Sequence, residues 1–227
     1  LELTSAQAPL LQRFFDDNPA YFLATSGEAA GPNEAIEEIT GELPTGWSFT
    51  KKWVIGYQDP TGSLAAMANV VSDLLASSVF HVGTFIVATA RHGSGDAQAL
   101  YRSLERWAVA SGATFMRLGV VQGNARAERF WASEAYVRVR DRPGIPMGPR
   151  TVTVQVMVKP LAGGSLEHYF ALVPRDRTVV YQEPRLIPSK RVLANVTVGQ
   201  KRSRQVADNA RNALSRPPPP RHHARCR

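Results

Sequence analysis

Cysteine is nearly absent from this chain: Cys226 is the single one in 227 residues. One thiol closes no internal disulfide, which excludes a disulfide scaffold and suits a reducing compartment, so a cytoplasmic location is expected. The Arg/Pro-rich neighbourhood of Cys226 offers none of the ordered surroundings that activate a catalytic thiol. No apolar run reaches the roughly 18 residues a membrane-spanning helix needs, so no membrane partner is expected. Leu1-Glu2-Leu3-Thr4 has neither the basic region nor the apolar core of a secretory leader. No internal repeat is visible. His222, His223 and Cys226 have no second ligand pair at zinc-site spacing, so no metal is expected.

What is present is enough apolar sequence for a core, at 44% of residues. Charge is divided unevenly. Residues 1–174 hold 14 Lys and Arg against 16 Asp and Glu, while residues 175–227 hold 13 against 3. The body is therefore near neutrality, and the overall +8 belongs to the tail.

Local signals divide the body into elements. Thr4 or Ser5 can cap a first helix over about Ala6 to Asp17, with Leu10, Leu11, Phe14 and Phe15 on one face. Asn18-Pro19 ends it, and Tyr21 to Thr25 reads as a short strand. Asn33 can cap a second helix, Glu34 to Glu42. Trp53 to Tyr57 and Leu64 to Val71 form a hairpin around Asp59-Pro60-Thr61-Gly62. Val79 to Ala88 is a third strand. After Gly95, Ala97, Leu100, Leu104, Trp107 and Ala108 recur at helical spacing. Phe115 to Val121 follows that crossover helix and should lie parallel to the third strand. Asn124 caps another helix, with Ala127, Phe130 and Trp131 inward. Tyr136 to Arg140 and Thr151 to Val158 are strands around a Pro/Gly-rich loop, Pro143 to Pro149, and Leu166 to Leu172 makes a helical turn or two. The four tryptophans, Trp47, Trp53, Trp107 and Trp131, read as core.

The stretch with chemistry in it is strand, Gly93-Ser94-Gly95, helix. Free amides at a helix N-terminus attract anions, and glycines let a phosphate approach the backbone. A P-loop needs Lys-Ser/Thr where Asp96-Ala97 stands. A dinucleotide fingerprint fits poorly, because Gln98 occupies its third small position and no acid follows near Thr114 to Val121.

Two segments together resemble the GNAT superfamily of acyl-CoA-dependent N-acetyltransferases. The first is His92-Gly93-Ser94-Gly95-Asp96-Ala97, beside that family's Gln/Arg-x-x-Gly-x-Gly/Ala loop. The second runs from Asn124 through Ala127, Phe130 and Trp131 to Tyr136, beside Asn-x-x-Ala-x-x-Phe-Tyr-x-x-x-Gly-Phe. The resemblance covers roughly Leu3 to Leu161 in order and length of elements. This chain departs at His92, at Asp96, at Trp131 in place of a tyrosine that often protonates the leaving thiolate, and at Ala135 in place of glycine.

The resemblance implies a mixed, mostly antiparallel α/β sheet of six to seven strands flanked by about four helices. It implies acetyl transfer from acetyl-CoA, as co-substrate, to a primary amine of a small molecule or peptide. The backbone near Phe85 and Val87 would pair with the pantetheine arm. His92 through Ala97 (Gly93, Ser94, Gly95 and Asp96 between them) would hold the pyrophosphate, and Asn124 and Phe130 would lie along the cofactor. The candidates for the proton of the acceptor amine are His81 and Asp73, with Glu28 as a loop acid. Tyr21 and Trp47 could line the acceptor pocket. Glu34, Glu37, Glu38 and Glu42 read as a solvated face, or as attraction for a cationic acceptor.

The expected organisation is an N-acetyltransferase-like domain over 1–161, a short extension over 162–174 and a disordered basic tail over 175–227. The tail raises nucleic-acid binding as a separate reading, through phosphate neutralisation without base stacking. A non-catalytic CoA-binding domain on the same fold is the other alternative. Sequence sets no oligomeric state, and a homodimer stays open.

Overall fold

The computed structural model describes residues 1–43, 46–161 and 163–177. The tail from 178 on, with its expected disorder and nucleic-acid binding, lies outside the described residues. Helices α1 (Ala8–Asp17), α2 (Ala20–Thr25) and α3 (Glu34–Thr40) come first. Strands β1 (Lys52–Gln58), β2 (Leu64–Val71) and β3 (Val79–Val87) follow, then α4 (Asp96–Ala110), β4 (Phe115–Val121) and α5 (Ala125–Ser133). Strands β5 (Val137–Met147) and β6 (Arg150–Pro160) and helix α6 (Leu166–Leu172) complete the fold.

The six strands form one sheet in the order β1-β2-β3-β4-β6-β5. Every pairing is antiparallel except β3 with β4, which the α4 crossover makes parallel. Tyr101, Leu104 and Ala108 of α4 and Trp131 of α5 pack on one face with Phe80, Val82, Met116 and Leu118. Leu11, Phe14, Phe15 and Phe22 cover part of the other face over Val54, Met67 and Ile86. A third cluster joins Tyr169 and Val173 to Val79, Phe115, Val156 and Val158.

Two expectations need correction. Tyr21 to Thr25 is helical, not a strand. Pro19 already has helical angles, and Phe22 buries its ring edge-on against Phe15 at 5.0 Å. The Thr25 and Ser26 hydroxyls donate to the Phe22 carbonyl. With no strand beside it, the segment satisfies its backbone internally. Nor is Pro143 to Pro149 a loop. β5 continues to Met147, skips register between Arg142 and Ile145, and turns tightly at Gly148-Pro149. Prolines are tolerated there because β5 is an edge strand. Among the described residues the α-helices number six: the four expected, α6 where a helical turn or two is expected at Leu166 to Leu172, and α2.

The feature that positions the site is a bulge in β3. Asn69 pairs with Thr84 and Val70 with Val82, which leaves Gly83 as the extra residue. One extra residue inverts the alternation of side chains. Phe80 and Val82 pack toward α4 before the bulge, and Phe85 does so after it, while Ile86 packs toward α1.

Candidate functional site

Parallel pairing of β3 with β4 begins at Val79↔Phe115 and ends at Val82↔Leu118. Past that point the strands separate. Among the described residues, the edge of β3 from Gly83 to Val87 that faced β4 has no strand beside it. Gly83 and Gly119 are both exposed in mid-sheet because a cavity of 1360 Å³ opens between them. It reaches from Tyr21, Glu34 and Glu38 to Gly93, Gly95, Asn124 and Phe130.

At one end lies the Gly-rich loop. Gly93 and Gly95 adopt φ of 84° and 90°, in the left-handed region that disfavours side chains. A Cβ at either would meet nothing within 4 Å, so the loop borders open space. The amides of Gly93, Ser94 and Gly95 donate no hydrogen bond among the described residues. They stand at the N-terminus of the 15-residue α4. The carboxylate of Asp96 is taken up by Arg91 at 3.1 Å, and Arg91 also reaches Asp59 at 3.3 Å. Ser94 Oγ donates to the Arg91 carbonyl, and His92 Nε2 donates to the Val87 carbonyl at 2.8 Å. Ala97 lines the cavity just inside the helix.

Phe85 lines the cavity wall and stacks on Phe130 at 6.2 Å, and Val87 is buried beside it. Asn124 caps α5, its Oδ1 accepting from the Ala127 amide at 3.2 Å. Trp131 is mostly buried among Phe85, Tyr101 and Tyr136, with one edge on the cavity. A cofactor with a long uncharged arm and a pyrophosphate fits this end. The unpaired strand edge suits the arm, and the free amides suit the anion.

The proton-handling candidates separate. His81 lies before the bulge and borders a smaller cavity of 290 Å³ with Glu37, Glu38, Asn69 and Trp47. Its Nδ1 is 3.3 Å from Arg117 Nη1. A guanidinium only donates, which places the ring proton on Nε2. Burial and the Arg117 charge push His81 down to about 3. Asp73 sits at φ 53° in the turn before β3, accepts from the Ser78 amide at 2.7 Å, and borders neither cavity. Glu28 lines the larger cavity.

Three site residues carried little sequence signal. Glu38 was one of four similar acids. Asn69 stands in an otherwise apolar strand, and Gly83 is a glycine inside one, a pattern that hints at a bulge. Asn69 Nδ2 donates to Glu38 Oε1 at 2.8 Å. Tyr21 is pushed up to about 12 by burial and by Glu38. Gln12 fastens α3 to α1, donating to the Gly31 carbonyl and accepting from the Ala35 amide.

Residues 10–135 match the acetyltransferase (GNAT) family. An acetyltransferase from Thermus thermophilus superposes with a TM-score of 0.55 at 20% identity, covering 70% of this chain and 94% of that one. A spermidine N-acetyltransferase from Vibrio cholerae, in complex with CoA and spermine, superposes with a TM-score of 0.55 at 13% identity, covering 71% and 94%. A separate 44-residue match is 80% identical to an aliphatic sulfonates import ATP-binding protein of Rhodococcus jostii. That match covers 19% of this chain, and the chain spans 16% of the length of that curated relative.

Proposed function

The chain belongs to the acetyltransferase (GNAT) family, and on that premise we propose that it moves an acetyl group from acetyl-CoA to a primary amine. The observation that carries this reading is the opening of β3 from β4 beside the unpartnered amides of Gly93, Ser94 and Gly95. Those amides and the start of α4 would hold the pyrophosphate, with His92 and Ala97 flanking it. The free edge of β3 at Phe85 and Val87 would align the pantetheine arm, and Asn124 and Phe130 would close the opposite wall. Bound there, acetyl-CoA supplies an activated thioester, an acyl group with a good leaving thiol.

The protein's remaining task is to present an uncharged amine. Deprotonating a lysine-like amine at neutral pH costs about 4–5 kcal/mol, and a positioned base returns roughly 10²–10⁴-fold in rate. His81 is neutral at working pH, and its depression to about 3 makes it a weak base. It also borders the acceptor side, which Asp73 does not. Trp131 supplies no acid, because an indole N–H does not ionise in this range. The thiolate therefore leaves without protonation from that position. The small share of the ATP-binding protein matched carries no transport role into this reading.

Thiol release from acetyl-CoA over an amine panel tests it. Amine-dependent release is the expected result. CoA binding without release from any amine would instead select a non-catalytic CoA-binding domain, the reading that Trp131 favours. Among the described residues no helix is long and apolar enough to cross a membrane, and no group of three His, Cys, Asp or Glu is placed to hold a metal ion.

A further inference from the structure

Resting on the acetyl-transfer reading, we propose that Glu38, oriented by Asn69, takes the reacting ammonium of an acceptor carrying at least two positive charges. Glu38 and Asn69 stand beside Gly83, at the point where β3 leaves β4. A Cβ built on Gly83 would lie 3.7 Å from Asn69 Cγ, so nothing separates this pair from the opening. Asn69 Nδ2 is spent on Glu38, but its Oδ1 is buried with no hydrogen-bond partner among the described residues. A buried acceptor left without a donor loses the hydrogen bonds that water gave it. Glu38 lines both cavities and Asn69 the smaller one; a carboxylate beside an amide oxygen without a donor favours a ligand rich in donors, and an ammonium supplies three.

The rest of the acceptor end supports a second charge. Glu28, Glu34 and Glu38 line the larger cavity, and Glu37, Glu38 and Glu42 the smaller one. Among the described residues Glu28, Glu34, Glu37 and Glu38 form no salt bridge. Among the described residues the one lysine there, Lys52, is tied to the Gly41 carbonyl at 2.6 Å. Arg126 and Arg129, the cationic residues of the larger cavity, come from α5 on the cofactor side. Lys52 lies near enough to Glu38 to feel its charge, yet four carboxylates without a salt bridge on a concave wall outnumber it and focus a negative potential that favours polycations over monoamines and repels acceptors bearing a carboxylate.

The step balances as follows. The acceptor ammonium gives one proton to the Glu38 carboxylate. The freed nitrogen lone pair forms the C–N bond to the acetyl carbon, and the C–S bond breaks with its electron pair going to sulfur. The nitrogen sheds a second proton, which neutralises the thiolate. Glu38 returns its proton to water, so the net products are the amide, the thiol and one proton.

Three amines of equal length separate the possibilities: 1,4-diaminobutane, 1-butylamine and 4-aminobutanoate, with a linear tetraamine added for reach. Thiol release is followed by kcat and KM, and CoA affinity by calorimetry. The expected kcat/KM for the diamine or tetraamine is at least tenfold above butylamine, and higher still above 4-aminobutanoate. Glu38→Gln keeps the shape and the acceptor for Asn69 but removes the charge. It should lower kcat by 10²-fold or more with CoA affinity intact. Glu34→Gln should shrink the diamine preference at least threefold. Asn69→Ala should raise KM for the amine without moving KM for acetyl-CoA, a split that a merely structural role would not give. Equal use of butylamine and the diamine, a preference for 4-aminobutanoate, wild-type kcat in Glu38→Gln, or release from none of the four with CoA still bound each overturns the proposal. Loss of CoA binding by the wild-type chain would instead overturn the acetyl-transfer reading beneath it.

Discussion

Single backbone angles decide much at this site. Gly95 at φ 90° begins α4 with its amide free. Any L-residue there strains the turn by about 1–2 kcal/mol and crowds an approaching anion. Gly95→Val is expected to weaken CoA binding by at least tenfold in calorimetry. Wild-type affinity in that variant would place the pyrophosphate elsewhere. Ala135 shows the reverse case. It ends α5 at φ 66°, a left-handed angle, while the next amide bonds the Trp131 carbonyl. A methyl group is disfavoured there, so Ala135→Gly should stabilise the fold by about 1 kcal/mol. That corresponds to a melting point about 2–4 °C higher, and a lower one would contradict the strain. His81→Ala should lower turnover at least tenfold with unchanged CoA affinity. Unchanged turnover in both His81→Ala and Asp73→Ala would remove those residues from the transfer.

At the scale of elements, the C-terminal segment is bound into the sheet by charge. Arg117, in the middle of β4, is buried and pairs with the fully buried Asp176 at 2.9 Å. Tyr169 of α6 donates to the same carboxylate at 2.6 Å, and Arg140 of β5 stands 3.6 Å from its other oxygen. Burial opposes the Asp176 charge, but Arg117, Tyr169 and Arg140 outweigh it and hold the carboxyl below its usual range. A carboxyl depressed in the folded state contributes stability above its unfolded value near ~4. That contribution is lost as pH falls through the lower folded value. Asp176→Asn leaves Arg117 buried without its counter-ion, which costs about 3–5 kcal/mol. Thermal denaturation should show the loss at pH 7 and little difference between variant and wild type at the acid end. An equal deficit at every pH would mean the charge is not what holds the segment.

For the whole molecule, cofactor and fold are linked. A ligand that binds only the folded state at a hundred times its Kd adds about 2.7 kcal/mol. For a chain of this size, that is a melting shift of roughly 5–11 °C. CoA should produce it in the wild type and much less of it in Gly95→Val. No shift at saturating CoA would count against the cradle.

How far sequence reaches can be judged from particular residues. Periodicity and caps placed β2, β4, α4 and α6 within a residue or so, because their signals are local. The Gly93 to Gly95 loop and the Asn124 cap were legible for the same reason: backbone freedom and capping act over three or four residues. Tyr21 to Thr25 misled because β-propensity yields to packing, and Phe22 had Phe15 to meet. The edge position of β5, which admits Pro143 and Pro146 into a strand, is a property of the finished sheet. So is the reach of Asp176 to Arg117 across 59 residues. Above all, Glu38 looks like any acid on a short exposed helix. Only the bulge at Gly83, the parting of β3 from β4 and the docking of α3 through Gln12 turn it toward Asn69 and the opening. Local chemistry determined where an anion can rest, while long-range packing decided which carboxylate faces the opening.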